Sequence, residues 1–339
     1  MFNDLPKFVF LTGKGGVGKT SLSCATAVGL ADAGKSVLLV STDPASNVGQ
    51  VFGMEIGNHV TPVAAVSGLE ALEIDPEGAA AEYRERIVGP MRGVLPDKAL
   101  KGIEEQLSGA CTTEIAAFDE FTALLTDDAV TGAYDHIIFD TAPTGHTIRM
   151  LKLPGAWSGF LETGGDASCL GPLAGLEKQR TRYSAAVDSL SDASRTRLIL
   201  VARPRVSSLA EAARTSRELA EIGIRNQHLA INGLMPDADM GDALAASLIA
   251  RDQAALDGMD AALAALPQSR FALRPENLVG LDALRRMNTP VKLAKAVART
   301  TDTDLPPLAA LVDGIEASGK GLVMTMGKGG VGKTTIAAA

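Results

Sequence analysis

The chain has 339 residues, of which 46% are hydrophobic and 21% charged, and its 32 basic and 40 acidic side chains give a net charge of −8. This composition supplies a sizeable core and excludes a disordered chain, and the negative charge argues against nucleic acid bound through overall basic charge. The length suggests about two domains. The sequence has no apolar run of roughly 18 residues and no signal-peptide pattern at its N-terminus, so we expect a soluble, cytoplasmic protein.

Short apolar runs alternate with longer helical stretches along the chain. This alternation predicts an α/β fold, a mostly parallel sheet with helices on both faces. In such a sheet ligands bind at the carboxyl ends of the strands. The predicted strands are residues 7–12, 36–41, 70–74, 136–140, 197–202 and 228–232.

The first predicted strand is followed by GKGGVGKT, residues 13–20. The pattern G-x-x-x-x-G-K-[ST] between a strand and a helix predicts a P-loop, whose backbone N–H groups surround a phosphate. In such a loop Lys19 reaches the β- and γ-phosphates, and the Thr20 hydroxyl ligates Mg²⁺. The sequence therefore predicts a P-loop NTPase. The predicted nucleotide-binding residues are Gly13, Lys14, Gly15, Gly16, Val17, Gly18, Lys19, Thr20 and Ser21.

The same eight residues recur at 327–334, again after an apolar run (322–326) and before a helix-forming stretch. We therefore expect a first ATPase module over 1–298, a linker over 299–320 with a short helix near 308–312, and the start of a second module over 321–339, with a strand and a phosphate loop. The second module stops after barely one helical turn, so we expect a partial sequence. The second predicted loop consists of Gly327, Lys328, Gly329, Gly330, Val331, Gly332, Lys333 and Thr334.

Two aspartates lie at the ends of predicted strands. Asp140 ends the run 137–139, where a purely structural carboxylate is uncommon. Asp43 follows the second strand and precedes Pro44, so a turn or helix-capping role is an alternative there. Because carboxyl ends of parallel strands converge, both carboxylates are predicted near the phosphates.

Lys14 directly follows Gly13, so the loop contains the sequence KGG, which is a variant of the P-loop pattern. A second lysine has no room beside Lys19 on the same phosphate edge, so we expect it to reach a nucleotide held by a facing module, as an arginine finger does. A solvent-exposed loop lysine is the alternative.

Three segments carry a family resemblance: KGGVGKT, then STDPASN at 41–47, then DTAPTGHT at 140–147. Together they resemble the deviant Walker A ATPases, and within them the arsenical pump-driving ATPases, from the first loop to the end of the chain. The resemblance implies a tandem duplication with two facing nucleotide sites. It also implies that Asp43 positions the attacking water and that Asp140 holds Mg²⁺ through water.

The same resemblance implies that Asn232 reads the adenine base, with an Asn-Gly turn as the competing interpretation. The segment 274–278 resembles the family's adenine-side loop.

The chain has three cysteines and no C-x-x-C pair, which excludes a disulfide scaffold, a zinc ribbon and a self-contained iron–sulfur site. On their own, such cysteines are most simply buried hydrophobic residues, and Cys24 is interpreted as core packing. Arsenite and antimonite are thiophilic, so thiolate ligands are expected. The resemblance implies that Cys111, His146 and Cys169 are metalloid ligands.

The expected function is that of the ATP-hydrolysing subunit of an arsenite and antimonite extrusion system, with ATP, Mg²⁺ and metalloid as its ligands. Its implied partners are an integral membrane permease, which would hold it at the inner membrane, and a cytosolic metallochaperone. Without the second half's switch segments and metal ligands, we expect ATP binding with weak hydrolysis, unless two copies of the chain pair.

The alternative within the family is an ATPase that targets tail-anchored proteins. That role calls for a C-x-x-C clasp and a Met-rich insertion, whereas the segment 86–128 contains only Met91. Partition or septum-site ATPases are usually single modules, which the repeated loop disfavours. A nitrogenase-type iron protein needs cluster-bridging cysteines at a spacing that this sequence lacks.

Overall fold

The computed structural model describes residues 2–43, 48–141, 176–236, 242–287, 289–291, 307–327 and 331–338. The chain divides into two compact units, Met1–Pro290 and Val291–Ala339. In the described residues no helix is long and apolar enough to cross a membrane.

The first unit contains one sheet, which has eight strands in the described residues. Their spatial order is β3-β4-β2-β5-β1-β6-β7-β8, and every neighbouring pair is parallel except β3 and β4. All six predicted strands are present, with ends that differ by two residues at most. The strands are β1 (Phe8–Thr12), β2 (Val37–Ser41), β3 (Thr61–Pro62), β4 (Leu69–Glu73), β5 (His136–Asp140), β6 (Thr196–Ala202), β7 (Gln227–Leu234) and β8 (Gln268–Ala272).

The helices of the first unit follow the strands as the α/β prediction requires. They are α1 (Lys19–Asp32), α2 (Val48–Phe52), α3 (Pro76–Val88), α4 (Asp97–Gln106), α5 (Ala110–Thr126), α6 (Asp128–Ala133), α7 (Leu176–Ser191), α8 (Val206–Glu221), α9 (Ala243–Asp257), α10 (Ala261–Ala264) and α11 (Leu281–Arg286).

The sheet is buried on both faces because alternate strand residues join different cores. Phe8 and Phe10 pack with side chains of α5, α7 and α8, whereas Val9 and Leu11 pack with side chains of α1 and α2. Apolar side chains on both faces explain why the strands read as continuous hydrophobic runs. The predicted sheet with helices on both faces is confirmed.

The position of β1 among the strands places the phosphate loop at the middle of the sheet. β1 lies between β5 and β6, so the loop that follows Thr12 emerges between the ends of those strands. Asp140 pairs with Leu11 and with Ser41 in register, which brings the ends of β1, β2 and β5 to one edge.

The second unit contains two helices in its described residues, α12 (Leu308–Ala317) and α13 (Lys333–Ala338). The short helix expected near 308–312 is present and extends to Ala317. The strand predicted at 322–326 is not formed: these residues have no regular structure, and Leu322 is 82% exposed. A strand needs a hydrogen-bonded neighbour, and the described part of this unit offers none.

Candidate functional site

The phosphate loop folds around the ammonium group of Lys19. Its Nζ donates to the carbonyl oxygens of Gly13 at 3.1 Å and Lys14 at 3.5 Å. Burial lowers the pKa of Lys19, while the nearby charges of Asp140 and Asp43 act in the opposite direction. α1 begins at Lys19 directly after the loop, so helix N–H groups and a lysine face the same space, which suits a bound phosphate.

Asn232 supports this loop from the neighbouring side of the sheet. Its Nδ2 donates to the Val17 carbonyl oxygen at 2.8 Å, and the side chain is buried. Gly18 passes so close that a Cβ there would lie 2.3 Å from the same nitrogen, and its φ of 93° is left-handed. A glycine is therefore required at this position.

The Asn-Gly pair of residues 232–233 lies inside β7, at a bulge opposite β8, and so does not make a hairpin turn. The competing turn interpretation of Asn232 is wrong. Adenine recognition by Asn232 remains a prediction.

Asp140 is buried at the end of β5, and only one of its oxygens has a hydrogen-bond partner. Ser23 Oγ donates to Oδ1 at 3.2 Å, whereas Oδ2 accepts no hydrogen bond in the described structure. Burial raises the pKa of Asp140 to about 6, while the nearby Thr20 hydroxyl and the charge of Lys19 oppose the shift. A buried carboxylate oxygen without a donor, beside a threonine hydroxyl, matches the oxygen ligands that Mg²⁺ prefers. These residues fit a magnesium ion.

Asp43 follows the end of β2, where its N–H donates to Ser41 Oγ at 3.4 Å. Its charge acts on both Lys19 and Asp140, so the three predicted charged groups lie at the same edge of the sheet. The next residue, Pro44, lies outside the described residues, as do residues 45–47.

The second GKGGVGKT repeats the conformation of the first wherever the structure describes it. The φ angles of Gly327 and Gly332 are 151° and 92°, against 155° and 93° at the matching glycines of the first loop. Lys333 Nζ donates to the Gly327 carbonyl oxygen at 2.7 Å, as Lys19 does to Gly13. The two copies of the sequence therefore share these backbone angles and this lysine contact.

The predicted metalloid ligands are described only in part. Cys111 is the second residue of α5, and nothing of its side chain is described; His146 and Cys169 lie outside the described residues. Cys24 is fully buried in the α1 core, as predicted, and burial raises the pKa of its thiol. Lys14 is exposed.

Two residues of the site were missed from the sequence. Ser23 lies four residues after Lys19 on α1, a spacing that puts both on one helix face and could have indicated its contact with Asp140. Arg203, at the end of β6, donates to the Asn232 carbonyl oxygen at 3.5 Å. No motif marks Arg203, because its placement depends on the pairing of β6 with β7.

A profile of the family described as Anion-transporting ATPase matches residues 6–174 and 158–292 of the chain. The chain belongs to the anion-transporting ATPase family. An arsenical pump-driving ATPase of Acidiphilium multivorum is 59% identical over 344 residues, which cover 100% of this chain and 59% of that protein. An arsenical pump-driving ATPase of Escherichia coli is 58% identical over 341 residues, covering 99% of this chain and 58% of that protein.

A more distant relative of this chain is the ATPase get3 of Schizosaccharomyces pombe, 32% identical over 257 residues, with 68% of this chain and 74% of that protein covered. The resemblance to the deviant Walker A ATPases, and within them to the arsenical pump-driving ATPases, is confirmed. This chain spans 58–59% of the length of those two arsenical pump-driving relatives.

Proposed function

We propose that this chain is the ATP-hydrolysing catalytic part of an efflux pump for arsenite or antimonite. The observation that carries the proposal is the edge of the sheet where the phosphate loop meets Asp140 and its unpaired Oδ2. The two relatives at 58–59% identity, both named arsenical pump-driving ATPases, supply the pump assignment.

Lys19 and Asp43 divide the work on the phosphate. The Lys19 ammonium exchanges its loop carbonyl partners for β- and γ-phosphate oxygens and stabilises the charge that develops during transfer. Asp43, at the same edge, orients the water that attacks the γ-phosphate. Lys14 is exposed and extends this charge stabilisation to a nucleotide held by a facing module.

Thr20 and Asp140 are the residues that would hold Mg²⁺. When bound, the ion neutralises phosphate charge. Asp140 directs a buried oxygen to that position, and Ser23 fixes the other oxygen by its hydrogen bond. Asn232 holds the loop by its hydrogen bond to the Val17 carbonyl oxygen. Its side-chain oxygen and second N–H then pair with the edge of the adenine base.

Cys111, His146 and Cys169 form the proposed site for the metalloid, whose soft centre prefers thiolate. His146 follows Asp140 by six residues, so an extended segment of about 20 Å at most connects the metalloid site to the nucleotide edge. Metalloid binding then changes nucleotide affinity, and by linkage nucleotide changes metalloid affinity by the same factor.

The module boundaries of the sequence interpretation are part of the proposal: a first ATPase module over 1–298, a linker over 299–320 and the start of a second module over 321–339.

The partners are an integral membrane arsenite permease, which holds the ATPase at the inner membrane, a cytosolic metallochaperone and a second ATPase half. In the isolated chain, pairing of two copies would take the place of that half. Targeting of tail-anchored proteins is disfavoured, because the sequence has no C-x-x-C pair and its segment 86–128 contains only one methionine, Met91.

The test is ATPase activity of the purified chain with and without antimonite. Cys111→Ser and Cys169→Ser are expected to abolish the stimulation, whereas Cys24→Ala, which changes a buried thiol of the core, retains it. ATP binding is measured in parallel with a fluorescent analogue.

An unstimulated wild-type chain calls for the same assay on a chain extended past residue 339. Stimulation of the extended chain supports the pump and shows that the second half is needed. Absence of stimulation in both chains, with ATP bound, overturns the pump assignment.

A further inference from the structure

Glu73 lies directly beside the segment that carries Asp43. It is the last residue of β4 and pairs in register with Ser41, the last residue of β2. The Ile74 N–H donates to the Ser41 carbonyl oxygen at 2.9 Å, which extends the pairing past the end of β4. Asp43 follows Ser41 by two residues.

The side chain of Glu73 reaches forward to α2, the helix that begins five residues after Asp43. Its Oε1 accepts a hydrogen bond from the Gly49 N–H at 3.2 Å. Its own N–H donates to the Gly57 carbonyl oxygen at 3.0 Å, beyond the end of α2. One half-buried residue therefore contacts the chain on both sides of Asp43 and on both sides of α2.

The turn that contains Gly49 is tightly constrained. The Met54 N–H donates to the Gly49 carbonyl oxygen at 3.0 Å, and a Cβ at Gly49 would lie 2.7 Å from the Met54 carbonyl oxygen. Val48 and Val51 are buried in the α1 core. α2 is thus packed on the α1 core, and Glu73 supplies a side-chain contact between α2 and the strands.

We propose that Glu73 is a positioning residue for ATP hydrolysis: it joins the end of β2, which Asp43 follows, to Gly49 of α2. This inference rests on the proposed ATPase function. Because Asp43 lies in the chain between the two places that Glu73 contacts, Ser41 and Gly49, these contacts hold its carboxylate where it can orient water. Nucleotide affinity depends on the phosphate loop, whereas the hydrogen bonds described above join Glu73 to Gly49 and Gly57.

The experiment compares Glu73→Ala, Glu73→Gln and Glu70→Ala in the full chain. Glutamine keeps an oxygen that accepts from the Gly49 N–H. Glu70 is the matched control, because it lies on the same strand and is equally half-buried. Its hydrogen bond with the Tyr134 hydroxyl lies at the amino end of β4, whereas Glu73 ends that strand.

We expect Glu73→Ala to lower kcat by about tenfold or more, with KM for ATP and the Kd of an ATP analogue changed less than about twofold. Glu73→Gln restores most of kcat, and Glu70→Ala leaves it at the wild-type value. A kcat unchanged in Glu73→Ala, or lowered equally in Glu70→Ala, overturns the proposal.

Amide hydrogen exchange across residues 41–54 tests the anchoring without relying on turnover. We expect faster exchange in Glu73→Ala than in wild type, and wild-type exchange in Glu73→Gln and Glu70→Ala. Exchange that does not respond to Glu73→Ala contradicts the anchoring. If the wild-type chain binds ATP without hydrolysing it, kcat is measured in the chain extended past residue 339. Absence of hydrolysis there overturns the proposed function instead, and the exchange result then decides the anchoring by itself.

Discussion

Asn232 and Val17 are 215 residues apart in the chain and are joined by a hydrogen bond of 2.8 Å, from the side-chain amide to the backbone carbonyl. The bond ties the end of β7 to the middle of the phosphate loop. The loop is therefore supported by a third element, β7, in addition to the strand and helix that flank it, and we expect nucleotide binding to depend on this residue far from the motif.

Asn232→Ala is expected to lower the free energy of unfolding by about 1 kcal/mol and to weaken ATP binding several-fold, because the loop loses a buried hydrogen bond. Chemical denaturation and fluorescent-nucleotide titration measure the two effects. Asn226→Ala removes amide bonds to the Ala193 and Thr196 carbonyls at the other end of β7 and is the control. It should cost stability and leave nucleotide affinity unchanged.

The same variant separates loop support from base recognition. If Asn232 also reads adenine, the loss of affinity is larger for ATP than for inosine triphosphate, which lacks the 6-amino group. Equal losses for the two nucleotides would restrict Asn232 to the support of the loop, and unchanged affinity for both would contradict both roles.

Gly18→Ala is expected to abolish nucleotide binding and to destabilise the fold. The new Cβ meets Asn232 Nδ2 at 2.3 Å and a left-handed φ of 93° is strained for alanine. Gly34→Ala is the control, because Gly34 has a φ of 82° but no atom within 4 Å of its added Cβ. The control should cost about 1 kcal/mol with normal ATP affinity; equal effects of the two variants would refute the steric argument.

Asp140→Asn is expected to stabilise the metal-free protein at pH 7 while eliminating ATPase activity. Burial raises the pKa of Asp140 to about 6, above the value in an unfolded chain, so the native state binds more protons between pH 4 and 6. The contribution of Asp140 to the free energy of unfolding of the wild type therefore falls as the pH rises through that range, by up to about 3 kcal/mol for a shift of about two pKa units.

Thermal unfolding in EDTA at pH 4 to 7.5 tests this dependence. The advantage of Asp140→Asn should grow with pH. Asp135→Asn has the opposite sign, because the Ser36 N–H holds the pKa of Asp135 below its usual value; that contribution is present at neutral pH and is lost on acidification. Parallel stability curves for wild type and Asp140→Asn would show that burial does not govern this carboxylate.

Asp119→Ala is expected to destabilise the helical layer on one face of the sheet by about 2 kcal/mol. This buried carboxylate accepts from Arg86 at 2.6 Å and from Arg182 at 3.2 Å, and so links α3, α5 and α7. The loss is below that of a fully buried pair because Arg86 is 61% exposed. Arg92→Ala, which breaks an exposed pair with Glu85, should change urea unfolding by less than about 1 kcal/mol.

The fold was largely predictable because buried parallel strands are continuous apolar runs. The two strands that were missed lack this signal. β3 is the two-residue segment Thr61–Pro62 at one sheet edge, and β8 has only Phe271 buried among its five residues. The run at 322–326 has the expected signal and forms no strand, because pairing requires a neighbour and not apolar side chains alone.

The site was predictable where a motif fixes the backbone. Lys19 and Asp140 lie at the same edge as the motif and the strand order require. Ser23 and Glu73 escaped the sequence interpretation because their contacts, to Asp140 and to Gly49, depend on how separate elements pack. A hydrogen bond between residues distant along the chain leaves no pattern in one sequence.

The central position of β1 has a consequence for synthesis. The phosphate loop leaves the ribosome before β5 and β6, the strands with which β1 pairs, and Asn232 follows later still. A nascent chain released as far as residue 202 holds the strands that flank β1 but leaves the Val17 carbonyl without its amide. The earliest translated part of the nucleotide site is thus completed last, and premature binding of nucleotide to the growing polypeptide is disfavoured.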